Sequence, residues 1–411
     1  MSTPHILIIG GGIGGLALAQ GLKKNNISFT LFERDTSPTA RAQGYRIRIA
    51  GLGAEGLYSL LPDDLWSLYQ RTCAEEKGFG AKLNAIDGTQ TPIFGPFGGP
   101  GGRGGGGGGP ADDAKWAGKA DRTMLRALLL LGIEGSVKFG KTFLKYEVIE
   151  SGVTAFFSDG TSEAGSLLVG AEGVTSAVRK QLLPHHRYVD TNSRVLYGKT
   201  LITAELEGQF APEAMKGGIT VIQDSAPLTL FLEPTRFPND ASVESQGRVA
   251  KTEDYMYWVL SGHADNMGLS DAEFHSLDCK QAADLTLKLT EKWLPSFRCL
   301  FELQNVSQCA PLRLISAKPE RPEWKPSARV TLLGDAIHAM MPAGGSGAKC
   351  ALADAALLVK LIVEEGLSEE MMGKYIDGMW EYSLPAIQQS AMAAQMLLGF
   401  KGWNDTKEVE L

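Results

Sequence analysis

Three times along the chain, a short apolar run stops at glycine and gives way to residues with helical spacing. His5 to Ile9 leads into Gly10-Gly11-Gly12-Ile13-Gly14-Gly15 and then an amphipathic stretch, Leu16 to Lys24. Leu167-Leu168-Val169 leads into Gly170-Ala171-Glu172-Gly173 and a helix start that reaches Arg179. Val330, Leu332 and Leu333 lead into Gly334-Asp335, then Pro342, Gly344, Gly345 and Gly347, then a helical run from Ala351 to Val363. Short strands apolar on both faces are what a parallel sheet covered by helices demands. Strand, turn and helix in repetition predict an α/β fold.

The segments between these units read differently. Ser28 to Phe32 is a strand ending at Glu33, and Gly44 to Ile49 is a strand with Arg46 and Arg48 on one face, because side chains alternate. Asp121 is a candidate N-cap for a helix reaching about Leu131, with Arg122 and Arg126 one turn apart. Val137 to Phe139, Phe143 to Glu150 and Thr154 to Phe157 predict antiparallel strands, with Ser158-Asp159-Gly160 as the last hairpin turn. From about Tyr188 to Ala310 short β-like runs dominate, interrupted by one charged helix, Asp278 to Trp293. Met371 to Phe400 predicts a helix and Lys401 to Leu411 a polar tail. The expected organisation is a discontinuous Rossmann-like domain (1–187 and 311–366), a second β-sheet substrate domain (188–310), and a C-terminal helix and tail (367–411). Residues 95–109 hold 11 of the 49 glycines, a composition that cannot bury a core and predicts a mobile surface loop.

The first glycine turn carries the most specific chemistry. Gly10-x-Gly12-x-x-Gly15 follows a strand and opens a helix, the context a dinucleotide site requires. Gly10 permits the tight turn, Gly12 the approach of a pyrophosphate, and Gly15 the packing of helix on strand. Glu33 stands where an acidic side chain accepts from adenosine ribose hydroxyls. In the third unit, Asp335 ends a strand and is a natural acceptor for sugar-like hydroxyls, while its glycines let a flat ligand approach the backbone.

Composition narrows the class. The 411 residues suffice for two domains, and the net charge of −7 gives no sign of a nucleic-acid partner. Five cysteines without a C-x-x-C pair point to a reducing compartment and no zinc site. No run of about 18 apolar residues exists, so no membrane span is expected. The first strand starts at about His5, so no signal peptide is expected and the expected location is cytoplasmic. The oligomeric state is left open.

These units occur in one order: Gly10 to Gly15 with Glu33, the Arg122 helix, Gly170 to Arg179, and Gly334-Asp335 to Gly347. In that order they resemble the single-component FAD-dependent monooxygenases of the aromatic-hydroxylase type, most of all the fungal secondary-metabolism members, over residues 5–365. The resemblance implies that Gly10, Gly12 and Gly15 hold the FAD pyrophosphate and Glu33 the adenosine ribose. It implies that Arg122 reaches the ribityl-phosphate region, that Asp335 holds the ribityl chain, and that Gly347 and Ala348 meet the flavin pyrimidine edge. The Gly44 to Arg48 strand would line the flavin. The implied activity uses NAD(P)H and O2 to hydroxylate or epoxidise a small, electron-rich organic molecule. Arg48 and Tyr197 are the pocket candidates for catalysis, Tyr197 as a phenol on the second domain's first strand. Two positions depart from the family pattern: Glu172 where aspartate is usual, and Lys349 where asparagine is usual. The alternative is the same fold kept as a scaffold that binds or cyclises a metabolite without redox turnover. A short-chain dehydrogenase is disfavoured because no tyrosine has lysine four residues on, and a flavin halogenase because no two tryptophans are spaced by one residue.

Overall fold

A computed structural model describes residues 4–38, 40, 45–91, 117–216, 218–224 and 228–411. Gly44 and the glycine-rich insert lie outside the described residues. Strand β1 (His5–Ile9) runs into helix α1 (Ile13–Lys24), then β2 (Ser28–Glu33) and β3 (Arg46–Ile49). After β4 (Phe79–Asn84) and β5 (Gly118–Asp121) comes α2 (Arg122–Leu130), then β6 (Val137–Phe139). Strands β7 (Phe143–Ile149), β8 (Gly152–Phe157) and β9 (Ser162–Gly165) precede β10 (Leu167–Gly170) and α3 (Ala177–Leu182). The second half contributes β11 (Tyr188–Leu201), β12 (Ile219–Gln223), β13 (Thr229–Thr235), β14 (Tyr255–His263) and β15 (Ala310–Ser316). The chain closes with β16 (Val330–Leu332), α4 (Asp335–His338), α5 (Gly347–Glu365), α6 (Glu369–Leu397) and β17 (Lys407–Val409).

The apolar runs form one five-stranded sheet, ordered β16-β10-β1-β2-β6, with every pairing parallel. Ile6, Leu7, Leu167, Leu168, Val169 and Leu332 are fully buried, as strands covered on both faces must be. Packing against them, α1 buries Ile13 through Leu22 without a break. The short strand β6 pairs parallel with β2, so the antiparallel expectation fails for it. Three residues are too few to show a period, and the neighbour decides the direction. The antiparallel expectation holds for β7, β8 and β9.

A second sheet is ordered β15-β11-β14-β13-β12-β4, with β17 also pairing β11. It therefore extends beyond the expected 188–310 span: β4 comes from the first part of the chain, β15 reaches Ser316, and β17 comes from the tail. The polar tail is a strand there because its backbone pairs with the exposed edge of β11, a gain that composition does not report. Among the described residues of 188–310 lie six short α-helices instead of one, at 204–209, 212–215, 241–244, 271–276, 279–289 and 295–302. Most are too short for an apolar stripe, but several carry readable caps at Thr203, Asp240, Ser270 and Asp278. Trp258, Phe297, Leu300 and Phe301 centre this domain's separate core.

The glycine turn is where packing is tightest. A Cβ on Gly15 would stand 2.1 Å from the Gly10 carbonyl oxygen, and one on Gly10 would stand 2.4 Å from that of Ala171. Both obstacles are backbone atoms that cannot swing away. Gly15→Ala is therefore expected to cost about 3 kcal/mol, at the upper end of core overpacking, or to prevent folding. Urea unfolding checks this, and a midpoint equal to wild type would mean that helix and strand can separate without cost.

Candidate active site

Because β1, β10 and β16 are parallel neighbours, the turns that follow them open on the same edge. Ile9 pairs with Gly170, and Gly170 with Leu332, so the three glycine turns start side by side. A cavity of about 680 Å³ lies there, within the range that binds small ligands. Its wall brings together Gly10, Gly12, Glu33, Arg48, Arg122, Asp335, Gly347 and Ala348. Gly15 lies behind the turn and not on this wall, consistent with its contact with Gly10.

Two long helices begin at this wall. Neither α1 nor α5 has a side-chain cap or an acidic residue in its first turn. Their N–H groups and positive dipole ends therefore face the cavity with no acidic side chain of their own first turns to neutralise them. Gly12 has no atom within 4 Å of the position its Cβ would take, so a side chain there would project into open space. Open backbone at a helix start is the cradle a pyrophosphate requires.

The side chains around this cradle are held by specific contacts. Glu33 is buried; its Oε2 accepts from the Gly11 N–H at 2.8 Å and its Oε1 from the Asp35 N–H at 2.9 Å. Each oxygen keeps a lone-pair site, so sugar hydroxyls can share the carboxylate that shapes the turn. Arg126 Nε donates to the Gly11 carbonyl at 3.2 Å, holding the turn from the other side. Arg122 lies over the Tyr45 ring, 5.2 Å from its centroid, and Nη1 donates to the Tyr45 hydroxyl at 3.2 Å. Asp335 follows Gly334, whose φ of +61° favours glycine. Asp335 is exposed to the open cavity, between buried neighbours on either side. Burial raises its pKa, while His338 and Arg122 pull it down less strongly.

The two departures from pattern have separate places. Glu172 accepts from the Ser176 hydroxyl at 2.6 Å and from the N–H groups of Ala177 and Val178 at 3.1 Å. The longer side chain thus reaches over and caps α3, and burial raises its pKa. Lys349 is the third residue of α5 and lines the cavity. Gly53 makes room for it, since a Cβ there would lie 2.6 Å from the Lys349 Cα.

The catalytic candidates are not brought together. Arg48 is on the wall but forms an ion pair with Glu76 at 3.1 Å. Tyr197 is not among the lining residues; it meets Tyr45 edge-on, with centroids 5.6 Å apart. The roof is instead made by Ile219, Phe231, Tyr257 and Val259 from the second sheet, with Leu397 and Leu398 at the end of α6. Sequence reasoning missed these residues. The available signal was the alternation along β14, where Tyr257 and Val259 are half-buried between buried neighbours. Among the described residues, no group of His, Cys, Asp or Glu is placed to hold a metal ion.

A parallel sheet with a dinucleotide turn, roofed by a mixed sheet over one cavity, defines a two-domain flavin-binding architecture. The family model for an NAD(P)-binding Rossmann-like domain matches residues 8–71, and that for an FAD-binding domain matches residues 323–375. The dual O-methyltransferase/FAD-dependent monooxygenase elcB of Phaeosphaeria nodorum is 38% identical over 89% of this chain and 41% of its own length. The FAD-dependent monooxygenase thnD of Trichoderma harzianum is 28% identical over 87% of this chain and 82% of its own. A candidate FAD-containing monooxygenase from Photorhabdus luminescens superposes with a TM-score of 0.78 at 29% identity, covering 96% of this chain and 98% of that one. The chain spans less than half the length of the dual-function relatives. The chain is thus similar along most of its length to FAD-dependent monooxygenases, and its cofactor is FAD.

The raised Asp335 pKa has a consequence with a definite sign. Its folded pKa lies above the unfolded value, so the ionised carboxylate costs stability above the folded pKa. That cost disappears as pH falls through the folded pKa towards the unfolded one. Asp335→Asn should therefore hold or raise the melting temperature of the flavin-free protein at pH 7, yet weaken FAD binding about tenfold. Melting curves and FAD titration check the two halves; a flavin-free variant less stable than wild type would contradict the first.

Proposed function

We propose that the protein is an FAD-dependent monooxygenase. It uses NAD(P)H and O2 to hydroxylate or epoxidise a small, electron-rich organic substrate, a secondary metabolite by its resemblance to fungal members. One observation carries this reading: the Gly12 turn and the Asp335 turn, from opposite ends of the chain, line one cavity under an apolar roof. When bound, FAD supplies reduction by NAD(P)H, reaction with O2 and transfer of one oxygen atom to the substrate.

The chain's own residues bind, orient and exclude water. Gly10 to Gly14 and the α1 N-terminus receive the pyrophosphate. Glu33 receives the adenosine ribose, while Asp335 accepts from the ribityl hydroxyls and Arg122 approaches the phosphate side of that chain. The backbone at Gly347 and Ala348 faces the flavin pyrimidine edge. Phe231, Val259, Leu397 and Leu398 keep the substrate side apolar, which excludes water from the reacting atoms. Tyr257 places the one hydroxyl among these roof residues, and burial keeps its phenol protonated. All five cysteines are free thiols, which suits a reducing, cytoplasmic setting. No described helix is long and apolar enough to cross a membrane.

The test is an absorption spectrum of purified protein with FAD, followed by NAD(P)H oxidation under air and mass analysis of products made under labelled O2. The expected outcome is a flavin spectrum and product carrying one labelled oxygen. FAD binding without oxygen incorporation into any electron-rich aromatic tested would count against the monooxygenase reading. A second prediction concerns Lys349, whose charge sits at the positive end of α5. Near a reduced, anionic flavin, an ammonium contributes on the order of 1 kcal/mol. Lys349→Asn should therefore lower the two-electron midpoint potential by roughly 20 mV or more. Equilibrium reductive titration measures it, and an unchanged potential would show that the charge does not reach the flavin.

A further inference from the structure

Asp354 is a buried carboxylate that the cavity itself does not use. It lies two turns into α5, is fully buried, and is not part of the cavity wall. Its Oδ2 accepts from the Gly334 N–H at 2.7 Å and from His338 Nε2 at 2.7 Å. Its Oδ1 accepts from the Tyr382 hydroxyl at 2.7 Å. One carboxylate thus joins the turn after β16, helix α4, helix α5 and helix α6. All three bonds are short, and charge-assisted bonds in a dry interior are the strong ones.

The placement of these bonds ties the network to the cavity. Gly334 has the left-handed φ that turns the chain between β16 and α4, and the next side chain is Asp335. The Gly334 N–H points at Asp354, so the turn is fixed from behind by a charged acceptor. His338, one helical turn beyond Gly334, is also fully buried. Its Nδ1 has no hydrogen-bond partner among the described residues. Burial alone pulls the His338 pKa down, but the charge and hydrogen bond of Asp354, with Asp335, carry it up. The His338 Nε2, the Gly334 N–H and the Tyr382 hydroxyl together satisfy a carboxylate that would be severely destabilising if buried without partners.

We propose that Asp354, partnered by His338, is a positioning residue: it holds the Gly334 turn so that Asp335 faces the cavity, and so sets the affinity for FAD. This rests on reading the cavity as the FAD site. The competing account is that the three bonds only fasten helices together. The two accounts differ in what FAD does. A fastening role lowers stability with and without FAD alike and leaves affinity unchanged. A positioning role lowers affinity and shrinks the rise in melting temperature that FAD produces.

The experiment strips flavin from wild type, Asp354→Asn, His338→Gln and Tyr382→Phe, then titrates each with FAD and melts each with and without it. Asp354→Asn is expected to weaken FAD binding about tenfold or more, with a smaller FAD-dependent rise in melting temperature. His338→Gln still offers a donor to Asp354, but not from the imidazole's position on Oδ2, so it should weaken binding less than Asp354→Asn and more than Tyr382→Phe. Tyr382→Phe touches only Oδ1 and should leave FAD affinity within about threefold of wild type. A wild type that takes up no FAD would sink the reading of the cavity. A wild type that binds FAD, with Asp354→Asn binding it equally well, would overturn this inference alone. If Asp354→Asn does not fold, equal FAD affinity in His338→Gln and Tyr382→Phe overturns it instead.

Discussion

The whole site depends on parallel pairing. Strands β16, β10 and β1 lie side by side and run the same way, so their carboxyl ends share an edge. Were one of them antiparallel, its turn would open at the far edge, a strand length of roughly 15 Å away. Ligands of open α/β sheets bind outside the carboxyl ends of the strands for this reason. The constraint also explains the discontinuous order of the chain. Strands β11 to β15 of the second sheet are inserted between β10 and β16, and the first sheet must be completed by a strand that returns beside β10. The apolar run at Val330 to Leu333 can be buried on both faces only in that slot.

What could be read from the sequence follows from the same physics. The three turns were legible because glycine is required wherever backbone approaches backbone or takes a left-handed φ, as at Gly10, Gly15 and Gly334. Glu33 and Asp335 were legible as positions because they are pinned to those turns. The structure adds that Glu33 holds the turn itself. The membership of β4 and β17 in the second sheet was not legible. Pairing partners are set by edges that become available in three dimensions, and neither segment's pattern names its neighbour. Tyr257 and Leu397 were missed because a cavity-facing aromatic or leucine looks like a core residue when only one chain segment is in view. Tyr197 shows the reverse: a plausible inward phenol is taken up by Tyr45.

The charges around the cavity are mostly matched within the protein. Glu233 is buried between Arg46 and Lys119, joining β13 to both β3 and β5. Asp121 caps α2 through one oxygen and meets Lys199 and Tyr255 through the other. Such buried pairs contribute little net stability, but breaking one is costly, so they fix geometry. Here they lock the two-stranded ribbon β3-β5 to the second sheet, and that ribbon carries Arg46 and Arg48 to the wall. With these side chains partnered, the open N-termini of α1 and α5 are a source of positive potential that no acidic side chain in their first turns cancels. A pyrophosphate and an electron-accepting ring are suited to that arrangement.

Floor and roof are built under different restrictions. Residues of the floor serve two purposes at once, since Gly10 both turns the chain and packs on Ala171, and Glu33 both shapes the turn and faces the cavity. A change there disturbs fold and cofactor together. On the roof, the pleat separates the two purposes. Along β14, Met256, Trp258 and Leu260 belong to the second core, while Tyr257 and Val259 between them face the cavity. Phe231 stands likewise between Leu230 and Leu232 on β13. Substituting a cavity-facing residue leaves the core-facing row intact, because successive side chains point to opposite faces. The roof can therefore change shape without disturbing the second core, although Phe231 and Val259 also pack towards the end of α6. Under the proposed function, substrate choice falls to roof residues outside the second core, and cofactor binding to floor residues that the fold restricts severely.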